Sequence, residues 1–188
     1  MTAIGNYAFS QGSSIATITF GSSATTTAMT LGTYAFADCA SMTGSVVIPK
    51  GVSVLPSQLF YNTPLSGISF ESGSTLTTIN GFTGGTATHT MTTMPIPASV
   101  TSIATGNPWF NFPALTSFTI DSNAATNAGI VSVVDGVLFT TSSTAYVTLI
   151  SYPEAKSGTS YAIPASVKTI GHSSFKSNSV LQTITIPE

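Results

Sequence analysis

Few side chains in this 188-residue sequence could perform acid–base, metal-binding or nucleophilic chemistry. The two histidines, His89 and His172, have no cysteine or carboxylate nearby at a spacing typical of a metal site. None of the many serines lies in the G-x-S-x-G turn of hydrolases. The carboxylates are isolated in sequence, so no catalytic pair is indicated. The sequence therefore predicts neither an enzyme nor a bound metal or cofactor.

The low charge of the chain limits its partners. Charged residues make up 5% of the sequence, against about 25% in an average soluble domain. With four basic residues and a net charge of −2, the chain cannot neutralise a phosphate backbone, so nucleic acid is excluded as a partner. Serine, threonine and glycine interrupt every apolar run, so we predict no membrane-spanning helix. The first residues also lack the pattern of a signal peptide.

Hydroxyl groups are therefore the main polar chemistry, and a repeat indicates how the chain positions them. The phrase "IPASVTSI" at 96–103 returns almost unchanged as "IPASVKTI" at 163–170. A wider frame, V-x-x-I-G followed by Phe and then I-x-I or I-x-F, recurs at spacings of 22 to 28 residues before one longer gap. Its last anchors are Phe20, Ile48, Phe70, Ile96, Ile120 and Ile186. Such a period is typical of a solenoid of the leucine-rich-repeat kind.

Each I-x-I segment alternates apolar and polar residues, as a strand with one buried face does. We therefore predict a β-rich, right-handed solenoid of about six turns over residues 1–188, with one short parallel strand per turn. The inward residues would be Ile18, Phe20, Ile68, Phe70, Phe118, Ile120, Ile184 and Ile186. The repeated phenylalanines Phe9, Phe36, Phe60, Phe110 and Phe175 would form a buried column. Gly5, Gly32 and Gly171 follow V-x-x-I and would supply a positive φ.

One segment, 121–162, departs from the period and is predicted to be an inserted β-hairpin region. Asp135 and Gly136 form a two-residue turn signal between β-rich runs. The polar stretch "TSST" at 141–144 separates two further runs, so a hairpin or a three-stranded meander would fit. Neither end of the chain has the pattern of a capping repeat, and we expect the chain to be part of a longer array.

The frame "IPASVKTIGHSSFKSNSVLQTITIP", together with "AFADC" at 35–39, resembles the BspA-like leucine-rich repeats, also known as the Treponema pallidum type. The resemblance implies a solenoid on surface or secreted proteins of bacteria and some protozoa, with roles in adhesion to host matrix or to other cells. It implies an extracellular or cell-surface location and places Cys39 at a structural position in the core. Ser174 departs from the family pattern, which usually has Ala there. The family fixes no ligand residues.

The outward face of the predicted strands is the candidate binding surface, because its hydroxyls could meet a protein or glycan through hydrogen bonds. Its predicted residues are Thr17, Thr19, Ser45, Ser69, Thr93, Ser117, Thr119, Thr183 and Thr185, to which we add Trp109 and Tyr146 as possible aromatic contacts. A solvated β-surface and aromatic core packing are the simpler alternatives.

Two functions remain open from the sequence. The chain could be a non-catalytic recognition or adhesion module that binds protein or glycan on host matrix or on another cell. Alternatively, it could be a structural subunit that assembles with copies of itself into a filament or coat, since little charge opposes self-association.

Overall fold

The computed structural model describes residues 1–21, 27–83, 85, 89–104, 109–124, 129–142 and 145–188. Within these ranges the regular elements are all β-strands, arranged as a parallel β-solenoid of about seven turns. The predicted solenoid is confirmed, with one turn more than expected. The strands are β1 (Ala3–Ile4), β2 (Thr30–Leu31), β3 (Ser45–Ile48), β4 (Val54–Leu55), β5 (Gly67–Phe70), β6 (Thr78–Ile79), β7 (Phe82–Thr83), β8 (Thr93–Pro97), β9 (Ser102–Ile103), β10 (Trp109–Phe110), β11 (Ser117–Asp121), β12 (Val131–Val134), β13 (Val137–Ser142), β14 (Ala145–Ser151), β15 (Ser160–Ala162), β16 (Thr169–Ile170) and β17 (Thr183–Thr185).

Turns of the solenoid carry two parallel ladders rather than the single strand that we predicted, and β7 with β10 forms a further parallel pair. The long ladder contains the I-x-I segments and consists of the pairs β3–β5, β8–β11 and β15–β17. The short ladder contains the ends of the V-x-x-I segments and consists of β1–β2, β4–β6–β9 and the contact of β14 with β16. In β4 and β6 of this ladder, one apolar residue, Leu55 or Ile79, is buried while its neighbour is less buried, which is the alternation of a strand.

Alternation along the long ladder places one face in the core. Val46 and Ile48 of β3 are almost fully buried, and Ile68 and Phe70 of β5 lie directly beside them in register. Three residues predicted to point inward are instead exposed: Ile120 (38%), Ile184 (41%) and Ile186 (66%). Beyond β11 the turn at Gly136 bonds to Phe118 and does not cover Ile120. Ile184 lies on β17, the last strand of its ladder in the described residues.

The first predicted strand, at residues 17–20, is absent. Ile18 and Phe20 are half-buried and pack against the core, but their segment forms neither a strand nor a ladder pair. This segment forms one side of a cavity that is described below.

An aromatic column lies inside the solenoid. The rings of Phe9 and Phe36 stack with centroids 5.2 Å apart, and those of Phe36 and Phe60 with centroids 5.7 Å apart. Phe36 and Phe60 are buried, whereas Phe9 is 44% exposed, because within this column it stacks on Phe36 alone. Phe175 is half-buried and stacks on Tyr152 at 5.2 Å.

The prediction that the turn glycines supply a positive φ is wrong. The left-handed residues lie two positions later, at Tyr7 (φ 57°), Tyr34 (φ 55°) and Ser173 (φ 56°). Gly32 is needed because a Cβ there would lie 2.3 Å from the backbone nitrogen of Asn6 in the preceding turn. Glycine is therefore required here because two backbones lie too close for a Cβ, and not because the position needs a positive φ.

The departure from the period is a three-stranded antiparallel meander, β12–β13–β14, whose last strand rejoins the short ladder through β16. Asp135 (φ 49°) and Gly136 (φ 75°) form the turn between paired Val134 and Val137, which agrees with the two-residue turn signal. The second turn includes residues 143–144, which lie outside the described residues. Val137, Phe139 and Leu149 of the meander contribute to a second, smaller core cluster.

Candidate binding surface

The outward side chains of the long ladder form a neutral surface, which we call the outer wall. It consists of Ser45, Val47, Gly67, Ser69, Thr93, Pro95, Ser117, Thr119, Thr183 and Thr185. Pairing sets these residues side by side, since Thr93 is in register with Ser117 and their hydroxyl oxygens are 3.5 Å apart. Val47 lies beside Ser69 in the same way. Apart from the half-buried Gly67, Pro95 and Ser117, the wall is exposed.

The wall is divided into three parts. The pairs β3–β5, β8–β11 and β15–β17 are separate sheets, so the hydroxyls do not form one regular lattice. Thr183 and Thr185 are separated from the β11 part by the meander. Thr17 and Thr19 are exposed, but they lie on the segment that forms no strand. The structure therefore places Ser45 and Ser69 on one pair of strands but not opposite each other, and it places Thr93, Ser117 and Thr119 on another pair.

Charge is confined to the margins of the wall. The residues named for the wall are uncharged, and Asp121 at the end of β11 and Glu71 beside β5 are the charges at its margin. The carboxylate of Glu71 accepts a 3.0 Å hydrogen bond from the backbone N–H of Lys50. A surface of this kind can offer hydroxyl donors and acceptors together with threonine methyl groups, and it gives little electrostatic steering.

Many other hydroxyls have a structural role that the sequence pattern did not predict. They donate to backbone carbonyls one turn earlier, for example Thr75 to Lys50 at 2.7 Å and Ser99 to Leu76 at 2.6 Å. The same contact is made by Thr63 to Phe36, Thr77 to Ser53, Thr101 to Thr77, Thr116 to Thr92 and Ser174 to Leu149. The serine at position 174, where the family usually has Ala, thus supplies an inter-turn hydrogen bond. A Ser or Thr that recurs at the repeat spacing is the signal that could have shown this.

A second set of polar side chains connects the left-handed turns. The side-chain amide of Asn62 donates to Asp38 at 2.8 Å. The amide of Asn178 donates at 3.0 Å to the carbonyls of Pro153 and Glu154. The buried carboxylate of Glu154 accepts a 2.6 Å hydrogen bond from the backbone N–H of Asn111.

The environment of Glu154 affects its titration. Burial raises the pKa of this carboxyl above its ordinary value. The backbone N–H groups of Phe112 and Asn111 and the charge of Lys176 oppose that shift in pKa. This contact could not be predicted from the sequence, because Glu154 is 43 residues away from Asn111.

The aromatic candidates differ in their surroundings. Tyr146 is half-buried and packs its ring 5.1 Å from that of Phe139. Tyr152 is 2% exposed and stacks on Phe175. It occupies a position equivalent to that of a column phenylalanine, because its backbone N–H donates to the carbonyl of Ser174 as that of Phe36 donates to the carbonyl of Leu59. Burial raises the pKa of Tyr152. The backbone of Trp109 and Phe110 pairs with β7, but their side chains lie outside the described residues.

The residues with catalytic or metal-binding chemistry are dispersed. Cys39 is fully buried, with its Sγ 3.3 Å from the carbonyl oxygen of Phe9, and burial raises the pKa of the thiol. His89 is buried in a loop against Phe112, whereas His172 is exposed. In the part of the chain that the structure describes, no three His, Cys, Asp or Glu residues are grouped so that they could hold a metal ion.

Stacked turns, two parallel ladders and an internal phenylalanine column define a leucine-rich-repeat β-solenoid. The model of the BspA type leucine-rich repeat region matches six copies over residues 2–128 and 151–188. The chain therefore belongs to this family. The unmatched residues 129–150 correspond closely to the meander.

Solved structures have the same fold. A leucine-rich cell surface protein from Faecalibacterium prausnitzii is 23% identical with a TM-score of 0.72, and the match covers 99% of this chain and 51% of that one. The pneumococcal vaccine antigen PcpA is 20% identical with a TM-score of 0.67, over 85% of this chain and 40% of that one. A leucine-rich repeat protein from Eubacterium ventriosum is 24% identical with a TM-score of 0.59, over 83% and 44%. The chain thus spans about half or less of these proteins. No curated protein matches it.

Proposed function

We propose that this chain is a non-catalytic recognition module of an extracellular or cell-surface protein, and that it binds a protein or glycan through the outer wall. The observation that carries the proposal is the set of exposed, uncharged side chains in register on a rigid solenoid. In the β8–β11 part, Thr93, Ser117 and Thr119 present hydroxyls from two paired strands. Backbone pairing fixes their positions, so little conformational entropy is lost when a ligand binds.

Membership of a repeat family and the names of two similar structures support this proposal. The first is described as a leucine-rich cell surface protein, which is the location expected of an adhesion module, and the second as a vaccine antigen. Solenoids of repeats commonly use their extended surface for binding. In the described residues, no helix has the length and apolar character needed to cross a membrane.

The proposal is tested by placing charge on the wall. The double variant Thr93→Glu/Thr119→Glu changes two exposed wall residues, and Ser157→Glu/Ser179→Glu makes the same charge change at exposed positions outside the strands. Both variants and the unchanged chain are titrated against a panel of matrix proteins and glycans immobilised on a sensor surface. We expect saturable binding by the unchanged chain and the control, and its loss in the wall variant.

Two results would overturn the proposal. In the first, no member of the panel is bound, and sedimentation velocity shows that the chain polymerises alone at increasing concentration, which supports the filament alternative. In the second, a ligand is bound equally well by the wall variant and the control, so that the wall is not the site.

A further inference from the structure

The long ladder lacks one strand at its first turn. Residues 17–20, "TITF", have the same alternation as β5 and β17, yet they form no strand. In the described part of the chain, β3 pairs with β5 on one side and has no strand on the other. In this segment Phe20 packs edge-on against Phe36 with ring centroids 6.3 Å apart, and Ile18 packs on the same core.

The open edge of β3 presents backbone hydrogen-bonding groups. The carbonyls of Gly44 and Ile48 accept hydrogen bonds from Ser66 and Glu71, on the β5 side. Successive residues of a strand point their N–H and C=O groups to opposite edges. The groups of Ser45 and Val47 therefore point away from β5, and within the described residues no backbone bond to residues 17–20 occupies them.

A cavity adjoins this open edge of β3. A cavity of about 350 Å³ is bounded by residues 18–21 on one side and by Ser45, Val47, Pro49 and Glu71 on the other. It shares lining residues with a larger cavity of about 670 Å³. The apolar lining of the larger cavity includes Ile4, Phe9, Ile15, Ile18, Phe20 and Phe36.

We propose that the open edge of β3 is a docking site for an extended, uncharged peptide segment of a partner protein, which pairs with Ser45–Ile48 as an added strand. Unpaired edge groups are satisfied by another backbone, as in other cases of strand addition. The residues that line the cavities then determine which side chains of the peptide fit. Apolar residues of the peptide would enter the larger cavity, and small or hydroxyl residues would lie outward beside Val47.

We call the space formed by the edge of β3 and the two cavities the slot. The charge around the slot favours an uncharged peptide segment. Lys50 and Glu71 are the charged residues in its described lining, and Glu71 already accepts a backbone N–H through its carboxylate. A charged side chain that entered the apolar cavity would lose its hydration without a partner.

The test uses the whole chain and the acetylated, amidated hexapeptide ATITFG, which has the required alternation. Amide hydrogen exchange by NMR reports on Ser45 and Val47, and a titration reports the Kd. We expect both amides to exchange rapidly in the free chain and slowly with the peptide. A peptide N-methylated at alternate residues should bind about tenfold more weakly, because it lacks strand donors and loses at least one hydrogen bond.

Two protein variants separate backbone pairing from side-chain contact. Val47→Pro removes the outward N–H and should abolish binding, whereas Val47→Thr keeps it and should bind as the unchanged chain does. Pro is tolerated on an edge strand; if Val47→Pro nevertheless unfolds, the N-methylated peptide decides alone, since it leaves the protein unaltered.

The docking site would be overturned by binding that does not saturate, by equal affinity for both peptides, or by protected Ser45 and Val47 amides in the free chain. The last would show that residues 17–20 close the slot themselves. The Thr93→Glu/Thr119→Glu variant should bind the peptide with unchanged affinity. The docking site at β3 and the binding function of the wall are therefore tested independently, and either proposal can fail alone. Loss of peptide binding in that variant would place the peptide on the wall instead.

Discussion

The hydroxyl of Thr63 donates a 2.7 Å hydrogen bond to the backbone carbonyl of Phe36, one turn earlier in the solenoid. The same oxygen accepts the backbone N–H of Cys39 at 3.2 Å. Thr63 is fully buried, so water does not replace these contacts. One side chain thus satisfies two backbone groups of the neighbouring turn, at a place where the regular ladders do not reach.

Replacement of this hydroxyl should therefore destabilise the fold. Thr63→Val keeps the volume but leaves a buried carbonyl and a buried N–H without a partner, and we expect a loss of about 1–3 kcal/mol in the free energy of unfolding. Thr77→Val is the matched control, because its 3.2 Å bond to the carbonyl of Ser53 is exposed to water. It should lose about 0.5 kcal/mol or less. Urea denaturation of both variants measures this, and equal losses would contradict the assigned role.

The close approach of Gly32 to the preceding turn predicts that alanine substitutions at two glycines differ in their effect on stability. Gly32→Ala would place a Cβ 2.3 Å from the backbone of the preceding turn, whereas Gly44→Ala would meet nothing within 4 Å. We expect Gly32→Ala to destabilise by about 1–3 kcal/mol. Gly44→Ala should be neutral or stabilising by up to about 1 kcal/mol, because it restricts the unfolded chain. Thermal unfolding followed by circular dichroism compares the two. A neutral Gly32→Ala would mean that the two turns can separate without loss.

The buried carboxyl of Glu154 predicts a dependence of stability on pH. Since burial raises its pKa in the folded state above the ordinary value of 4.5, the folded chain binds the proton more tightly than the unfolded chain does. The contribution of Glu154 to stability is thus complete below about pH 4.5 and is lost as the pH rises through the folded-state pKa.

Comparison with Glu154→Gln isolates this group, because Gln can still accept the N–H of Asn111 and does not titrate. We expect the unfolding free energy of the unchanged chain, minus that of the variant, to increase as the pH falls from 7 towards 4.5. Denaturation at several pH values measures the difference. A constant or decreasing difference would show that burial does not dominate the titration of this carboxyl.

The sequence by itself determined the solenoid, because a repeated alternation of apolar residues can be buried only when equivalent residues stack. It also determined the meander turn, since Asp135-Gly136 adopts the positive φ values that few other residue pairs accept. The neutral outer wall followed from the polar positions of the same alternation.

Tertiary structure alone decided which copies of the pattern form strands. The segment "TITF" at 17–20 has the same local preference as "TITI" at 183–186, yet residues 183–185 pair in a ladder, whereas 17–20 form no strand and Phe20 packs against Phe36. Likewise, the contact of Glu154 with Asn111 and that of Thr63 with Phe36 depend on which turns stack in space. Local sequence preference fixes the alternation of a strand, but contacts between distant residues fix its hydrogen-bonding partner.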